Sequence, residues 1–198
     1  MMTYVFGAPG CGKTTYCASL VKKCTSKKSF KKRYPNGVYT NFPCLGAHLL
    51  DSSDVGLYQL DHCLIILDES GVDFNNRDFK KGLLSDKGRL DFYKKHRHYH
   101  TDIVIVSQGW DEVDKKLRTL CVQYYMLKRS LLPCFTKVKR VLKKCDIDEK
   151  THEPCDFFSF DIFGTSLLFR PRYYRMFDSF ECTPLPYKDF PVVDKSAK

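Results

Sequence analysis

The feature that most constrains this chain is a short apolar run followed at once by a glycine-rich turn near its amino terminus. Residues 2–6 read MTYVF, which is typical of a short buried strand, and residues 7–14 read GAPGCGKT. The second stretch matches G-x-x-x-x-G-K-[ST] in full, and the residues that follow can start a helix. Its glycines let successive backbone N–H groups and the amino end of that helix point at one anion. The sequence therefore predicts a phosphate-binding loop.

The residue types of this loop indicate a site for a nucleotide and its magnesium ion. We expect the Lys13 ammonium to reach the β- and γ-phosphates and the Thr14 hydroxyl to coordinate Mg²⁺. The alternative is a glycine-rich turn with an exposed lysine. The residues predicted to bind the nucleotide are Gly7, Pro9, Gly10, Cys11, Gly12, Lys13, Thr14 and Thr15.

A pair of acidic residues follows a second apolar run. Residues 63–67 read CLIIL, which is typical of a strand buried on both faces of a parallel sheet, and Asp68 and Glu69 come next. A carboxylate at this end of a strand, next to the phosphate loop in the sheet, can hold Mg²⁺ through the water shell of the ion, so Asp68 is predicted to hold the metal together with Thr14. Glu69 is expected to accept a proton from the water that attacks the γ-phosphate. The alternative is a strand-end turn with two solvated acids.

A glutamine and three arginines complete the set of candidate catalytic residues. Residues 102–106 (DIVIV) predict another buried strand, and Gln108 follows it closely. The Gln108 amide is expected to orient the attacking water, with a satisfied loop amide as the alternative. Phosphoryl transfer also needs a cation, often supplied by a neighbouring subunit. Arg77, Arg97 and Arg118 are the candidates, and each could instead be a surface or structural arginine.

Strand and helix signals alternate through the first two thirds of the chain, which calls for a parallel sheet with right-handed crossovers. Residues 136–142 and 157–169 instead alternate charged and apolar side chains and predict a small antiparallel hairpin. The predicted fold class is α/β: a P-loop NTPase with a mostly parallel sheet flanked by helices and a small antiparallel C-terminal appendage. We expect one domain over 1–198, with its core at about 1–130 and the appendage at about 131–185.

The boundaries of these elements are predicted from the same signals. Residues 71–87 are expected to form a mobile loop over the site. Strands are expected at 2–6, 38–42, 63–67, 102–106 and 121–127, and helices after the phosphate loop, at 89–99, and from an Asp111 cap to about Leu117 or Arg118.

Charge and cysteine usage limit the environment of the protein. Lysine and arginine exceed the acids by 33 to 23, and the excess clusters at 22–33 and 137–144. Such patches suit nucleic acid or an anionic membrane surface, or are solvated faces that keep the protein soluble. Ten cysteines scattered among helix and strand signals indicate free thiols in a reducing cytosol. No run is long and apolar enough to span a bilayer, so a membrane anchor would lie beyond Lys198.

A histidine run raises the possibility of a metal site. His96 and His100 have metal-ligand spacing if they share a helix, although no third ligand lies nearby at a suitable spacing. Cys145, His152 and Cys155 are spaced too loosely to predict a zinc finger. Zinc is therefore the weaker interpretation for both groups.

In their order along the chain, these motifs resemble the N-terminal domain of zonula occludens toxin-like proteins, the assembly ATPases of filamentous phages. The resemblance covers nearly the whole chain. The phosphate loop is shared with many proteins, so the specific part lies in the later motifs. Those motifs are Asp68-Glu69, His96-Arg97-His98, the strand at 102–106, Gln108, Val113-Asp114, Leu117-Arg118 and Phe177-Asp178-Ser179.

The resemblance implies a ring-forming ATPase at the cytoplasmic face of the host inner membrane that drives virion assembly and the export of single-stranded DNA. It implies ATP and Mg²⁺ as cofactors, and a homo-oligomer, single-stranded DNA and phage coat or channel proteins as partners. The chemistry would fall to Lys13, Thr14, Asp68, Glu69 and Gln108, while Arg97 and Arg118 match family positions without an assigned role. Members of the family usually continue into a transmembrane helix, which these residues do not contain.

Two other functions are compatible with the motifs. A small-molecule P-loop kinase would use residues 71–87 as a lid over its phosphoryl acceptor. A nucleotide-gated scaffold would dock coat and channel proteins with little hydrolysis. The Asp-Glu pair followed by a strand-end glutamine favours water as the acceptor and therefore favours the ATPase.

Overall fold

A computed structural model of the protein describes residues 1–69, 87–147 and 154–178. The loop predicted over 71–87 lies outside the described residues apart from Lys87, which begins a helix. Arg77 and His152 also lie outside them.

One sheet organises the described residues. Its eight strands lie in the order β3-β2-β4-β5-β1-β6-β7-β8. The pairs from β3 to β6 are parallel, and β7 and β8 continue the sheet in the antiparallel sense. The strands are β1 (Met2–Phe6), β2 (Val38–Thr40), β3 (His48–Leu49), β4 (Leu64–Leu67), β5 (Asp102–Ser107), β6 (Gln123–Arg129), β7 (Phe135–Ile147) and β8 (Pro154–Phe169).

Helices cover both faces of the parallel part. They are α1 (Lys13–Ser26), α2 (Lys28–Arg33), α3 (Lys87–Lys95) and α4 (Lys115–Leu120), with short 3-10 helices at Ser52–Asp54 and Arg170–Tyr173. In the described ranges, none of the helices is long and apolar enough to cross a membrane.

The central strands separate two apolar layers. Every residue of β4 and β5 is buried, as expected for continuous apolar runs in the middle of a parallel sheet. On one face Val5, Ile66 and Val106 pack with Cys17 and Val21 of α1. On the other face Tyr4, Ile65 and Ile105 pack with residues of α3 and α4, among them Tyr93 and Leu117. Side chains alternate between the two faces along each strand. The position of a residue in its strand therefore determines whether it packs against α1 or against α3 and α4.

The predicted fold class is confirmed, since the sheet is mostly parallel and flanked by helices. The C-terminal hairpin is longer than a small appendage, because β7 and β8 have 13 and 16 residues and extend the same sheet through β6.

Several predicted boundaries are wrong, and the strand predicted over 121–127 is β6 at Gln123–Arg129. Strand β2 ends at Thr40, and the side chain of the next residue, Asn41, binds the backbone of Asp68. Helix α3 ends at Lys95 instead of extending to Tyr99. Asp111 does not cap α4: the Asp114 side chain accepts a hydrogen bond from Lys116 N, and the helix begins at Lys115.

A buried carboxylate ties the amino-terminal edge of the sheet together. Asp102 begins β5, and its side chain accepts hydrogen bonds from the Met1 amino group, from Arg33 Nη2 at 2.6 Å and from the Tyr34 hydroxyl at 2.6 Å. Burial opposes ionisation of this group. The hydrogen bonds from Met1 and Tyr34 and the charges of Met1 and Arg33 outweigh that effect and hold the pKa of Asp102 below its ordinary value.

Replacing this carboxylate should destabilise the fold in a pH-dependent way. We expect Asp102→Asn to lower the free energy of unfolding at pH 7 by about 2 kcal/mol, because two cationic donors lose their charged acceptor. Since the folded-state pKa is depressed, the contribution of Asp102 is present above pH about 4 and is lost as the pH falls through that pKa. Urea denaturation of both proteins from pH 7 downward measures it, and an equal difference at every pH would contradict this account.

Candidate nucleotide site

The phosphate loop forms as predicted between β1 and α1. Gly10 and Gly12 have φ angles of 70° and 94°, in the left-handed region that favours glycine, and Gly12 is the residue that caps α1. A Cβ atom on Gly12 would lie 2.4 Å from Thr136 Oγ1. Both the backbone angle and the close approach of β7 therefore require glycine at this position.

Lys13 points into the loop that precedes it. Its side chain is buried, and its Nζ donates to Gly7 O at 3.0 Å and to Ala8 O at 3.4 Å. The ammonium therefore lies inside the turn whose N–H groups are expected to hold phosphate, in a position to contribute a full positive charge there.

Thr14 and Asp68 meet at the carboxyl-terminal edge of the sheet. Thr14 Oγ1 donates to Asp68 Oδ2 at 2.7 Å. Burial raises the pKa of Asp68, and the hydrogen bonds from Thr14 and from Glu69 N oppose that rise. A hydroxyl and a carboxylate are the hard oxygen donors that Mg²⁺ prefers, so the pair fits this metal.

Asp68 is not directly beside the phosphate loop in the sheet, contrary to the sequence prediction. Strand β5 lies between β4 and β1. Because the strands are parallel and about 5 Å apart, the two carboxyl ends still share one edge, roughly 10 Å from each other. The first turn of α1 spans this gap and brings Thr14 to Asp68.

Asn41 holds Asp68 in place, and sequence analysis missed it. Its side chain accepts from Asp68 N at 2.7 Å and donates to Asp68 O at 2.8 Å, which fixes the backbone on both sides of the carboxylate. The only sequence signal is a polar residue at the end of a predicted strand. That signal is too weak to identify a support for the site.

Glu69 and Gln108 line the same cavity as Lys13 and Thr14. The cavity has a volume of about 560 Å³. Glu69 is exposed and has φ of 50°, and its N–H donates to Asp68 Oδ1 at 3.0 Å. The backbone N–H of Gln108 donates to Glu112 Oε2 at 2.8 Å, which anchors the start of the loop after β5. Glu69 and Gln108, the two residues predicted to activate and orient water, therefore line one cavity with Lys13 and Thr14.

The predicted nucleotide-binding residues divide into two sets. Gly7 and Cys11 belong to the loop but face the protein interior. A Cβ atom on Gly7 would lie 2.5 Å from Leu127 O, and the Cys11 side chain is buried. Burial raises the pKa of the Cys11 thiol. The residues that line the cavity are Pro9, Gly10, Gly12, Lys13, Thr14 and Thr15.

Arg97 lies at the other edge of the sheet. It is exposed and belongs to the turn between α3 and β5, beside the amino ends of the strands. His62 N donates to Tyr99 O at 2.8 Å and anchors this turn to the chain just before β4. The length of β5, roughly 20 Å, separates Arg97 from the cavity, so within one chain it does not reach the phosphate loop.

Arg118 lies on the sheet face opposite α1, where it contacts Asp111 and Trp110. Its Nη1 donates to Asp111 Oδ1 at 3.0 Å, and its guanidinium carbon lies 5.0 Å from the centre of the Trp110 ring. The side chain is only 12% exposed. Its charge is therefore balanced within the chain, and it does not line the cavity.

The histidine run does not form the helical pair that the metal hypothesis required. Helix α3 ends at Lys95, and His96 Nδ1 donates to Tyr93 O at 2.7 Å. Burial lowers the pKa of His96. Over the part of the chain that the structure describes, no group of three His, Cys, Asp or Glu residues could hold a metal ion.

Residues of β6, of β7 and of the 3-10 helix after β8 also contact the phosphate loop, and sequence analysis missed them. Arg129 Nη2 donates to Pro9 O at 3.1 Å, Thr136 Oγ1 to Cys11 O at 2.6 Å, and Arg170 Nη1 to Gly10 O at 3.3 Å. These contacts depend on the pairing of β6, β7 and β8, which no local motif specifies.

Comparisons with known proteins agree with this architecture. The family model for zonular occludens toxin (Zot) matches residues 45–155, more than half of the chain. The N-terminal domain of zonular occludens toxin from Neisseria meningitidis is 20% identical, with a TM-score of 0.57 over 89% of this chain and 98% of that chain.

Viral proteins are more distant structural matches. The DNA-packaging ATPase B204 from Sulfolobus turreted icosahedral virus is 11% identical, with a TM-score of 0.45 over 78% of this chain and 95% of that chain. The genome packaging NTPase B204 of Sulfolobus turreted icosahedral virus 2, in complex with ATP-gammaS, is 12% identical, with a TM-score of 0.46 over the same shares. Among curated proteins no sequence matched.

The support that β7 gives to the phosphate loop can be tested at Thr136. We expect Thr136→Val to lower the free energy of unfolding by about 1–2 kcal/mol, because the Cys11 carbonyl loses its buried donor. Amide hydrogen exchange at residues 8–13 should become faster. The matched control is Thr165→Val, which removes an exposed hydroxyl from β8. Equal behaviour of the two variants would show that β7 does not support the loop.

Proposed function

This chain belongs to the zonular occludens toxin family, and we propose that it is a P-loop ATPase that binds ATP with Mg²⁺ and hydrolyses it. The observation that carries this proposal is the 2.7 Å hydrogen bond between Thr14 and Asp68. It joins the phosphate loop to the end of β4 and places Glu69 at the same cavity. A loop that bound phosphate for a structural reason alone would not need this acidic pair.

The proposed mechanism divides the work among the residues of the cavity. Lys13 and the loop amides bind the β- and γ-phosphates, and Thr14 and Asp68 would hold Mg²⁺, which would neutralise charge that develops on the phosphates. Glu69 accepts the proton of the attacking water, and the Gln108 amide orients that water. Glu69 suits this role because it is exposed at the cavity wall, unlike the buried Asp68.

The proposed transition-state cation comes from a neighbouring subunit or from a residue other than Arg118. Arg118 is already paired with Asp111. Arg97 is exposed and lies far from its own cavity, so it would act on the site of an adjacent copy. This assignment requires the homo-oligomeric ring that the family resemblance implies.

At a finer level we propose that ATP hydrolysis drives virion assembly and the export of single-stranded DNA, with coat or channel proteins as further partners. Family membership and the net charge of +10 support a nucleic-acid partner. The proposed place of action is the cytoplasmic face of the host inner membrane.

The face of the antiparallel strands that carries Phe158 and Phe160 suits single-stranded DNA. These rings are 42% and 49% exposed. The ammonium groups of Lys128 and Lys139 lie 5.9 and 5.3 Å from the centre of the Phe160 ring. An exposed ring with two lysines close to it can stack on a base while the lysines bind nearby phosphates. We call this surface the ribbon face.

The ribbon face is connected to the nucleotide cavity. The Phe158 ring lies 4.5 Å from the Trp110 ring, and Trp110 follows Gln108 by two residues. A DNA base stacked on Phe158 would therefore contact a ring that itself packs on the loop carrying Gln108, a proposed catalytic residue.

The proposed base can be tested by substitution. We expect Glu69→Gln to bind ATP with nearly unchanged affinity and to lose at least about 100-fold in turnover, because no carboxylate accepts the proton of water. Lys13→Ala should lose binding itself. Phosphate release and equilibrium binding of ATP measure the two effects, and turnover is measured at high protein concentration so that subunits can associate. Wild-type turnover by Glu69→Gln would contradict the assignment of the base.

The reaction class is tested in the same assay. Free phosphate should account for all the ADP formed, because water is the proposed acceptor. A shortfall of phosphate together with a phosphorylated small molecule would support a kinase instead. Low turnover that neither single-stranded DNA nor higher protein concentration raises would support the scaffold.

The role of the ribbon face can be tested at Phe160. We expect Phe160→Ala to weaken binding of a fluorescent oligothymidine by roughly 5- to 100-fold, the range of one lost base stack. The control is Tyr58→Ala, which removes an exposed ring elsewhere on the chain. Fluorescence anisotropy at fixed salt measures both, and an equal loss in the two variants would contradict a specific role for this face.

A further inference from the structure

Arg170 follows the last residue of β8 and lies at the wall of the nucleotide cavity. We propose that it binds the phosphates of the nucleotide from within the same chain. This inference rests on the proposed function, because it assigns a ligand contact in that same cavity. It differs from an arginine supplied by a neighbouring subunit, since Arg170 reaches the cavity of its own chain.

The position of Arg170 is fixed from two directions. Its backbone N–H donates to Cys134 O at 2.8 Å, which anchors the end of β8 to the start of β7. Its guanidinium Nη1 lies 3.3 Å from Gly10 O, and its Cδ would be 3.1 Å from a Cβ atom on Gly12. The side chain therefore lies directly against the phosphate loop, with its charged end at the middle of the turn.

The charge of Arg170 has no acidic partner among the described residues. No carboxylate there lies within ion-pair distance of its guanidinium, and its Nε is buried without a hydrogen-bond partner. Arg118 differs, because Asp111 accepts from it. Lys13 and Arg170 line the cavity together with Glu69 and Asp178, and neither carboxylate lies within ion-pair distance of the Arg170 guanidinium. A polyanionic ligand in the cavity would supply the close acceptor that this guanidinium lacks.

The chemistry of the guanidinium selects phosphate among possible ligands. Arginine presents five N–H donors, and among the described residues the terminal nitrogens of Arg170 make one hydrogen bond, to the neutral carbonyl of Gly10. Phosphate oxygens accept two parallel hydrogen bonds from such a group. The rest of this segment is different in character, since Tyr174 and Phe177 line the same cavity and suit the less polar part of a nucleotide.

Arg129 is a second arginine at the loop but is less suited to this role. Its Nη2 donates to Pro9 O at 3.1 Å, and a Cβ on Gly10 would lie 2.5 Å from that nitrogen. Arg129 does not line the cavity. It therefore supports the loop from outside, whereas Arg170 is the arginine that can contact the ligand.

The experiment compares nucleotide affinities of the full chain and its variants by titration calorimetry, with competition for weak ligands. The ligands are ATP with Mg²⁺ and adenosine, which lacks phosphate. We expect Arg170→Gln to weaken ATP binding by roughly 10- to 100-fold and to leave adenosine binding unchanged. Arg170→Lys should bind ATP with intermediate affinity, because it keeps the charge and loses the paired donors.

Arg172→Gln is the matched control. Arg172 lies in the same 3-10 helix, is exposed and does not line the cavity. The Arg172→Gln substitution removes the same net charge as Arg170→Gln, so a general electrostatic effect would appear equally in both variants. Thermal unfolding of each variant is measured alongside the titrations. If Arg170→Gln proves unstable, the ATP affinity of Arg170→Lys, which is the smaller change, tests the inference instead.

The outcomes separate this inference from the function on which it rests. If the wild-type chain binds no ATP, the proposed function fails. If wild type binds ATP, Lys13→Ala does not, and Arg170→Gln and Arg170→Lys bind as wild type does, then only the role of Arg170 is overturned. An equal loss of ATP and adenosine affinity in Arg170→Gln would also overturn it, because the residue would then shape the cavity without contacting phosphate.

Discussion

The hydrogen bond between Thr14 and Asp68 connects the two halves of the candidate site. It exists because parallel strands end at one edge of the sheet and because the first turn of α1 crosses the end of β5. Asn41, which follows the neighbouring strand β2, fixes the backbone of Asp68. Three strands, β1, β2 and β4, therefore contribute to the position of this carboxylate. Moving any of them would separate the predicted metal ligands. The geometry of the site is therefore a property of the sheet.

The carboxyl-terminal part of the sheet and the 3-10 helix after β8 give the phosphate loop a second set of supports. Arg129, Thr136 and Arg170 each donate to a carbonyl oxygen of the loop, so none of these contacts occupies a loop N–H group that could bind an anion. Strand β8 also carries the exposed Phe160 on the ribbon face. A strand pair that contacts the loop at one end and presents a ribbon face along its length can connect partner binding to the nucleotide site.

Sequence analysis predicted the parallel core and the loop because both depend on local patterns. Continuous apolar runs located β4 and β5, and the motif located Lys13 and Thr14. It could not find that β5 separates β4 from β1, because strand order is set by long-range packing. It also missed Asn41 and Arg170, whose roles arise only when distant segments meet. The prediction that Asp111 caps α4 failed because Asp114 is three residues closer to the helix.

The most direct test of the account is a crystal structure of the protein with a non-hydrolysable ATP analogue and Mn²⁺ in place of Mg²⁺. The anomalous signal of manganese locates the metal independently of the protein atoms. The account predicts one metal peak between the Thr14 hydroxyl and the Asp68 carboxylate, with the triphosphate in the loop at 7–14. A metal peak elsewhere, or a nucleotide outside that loop, would contradict it.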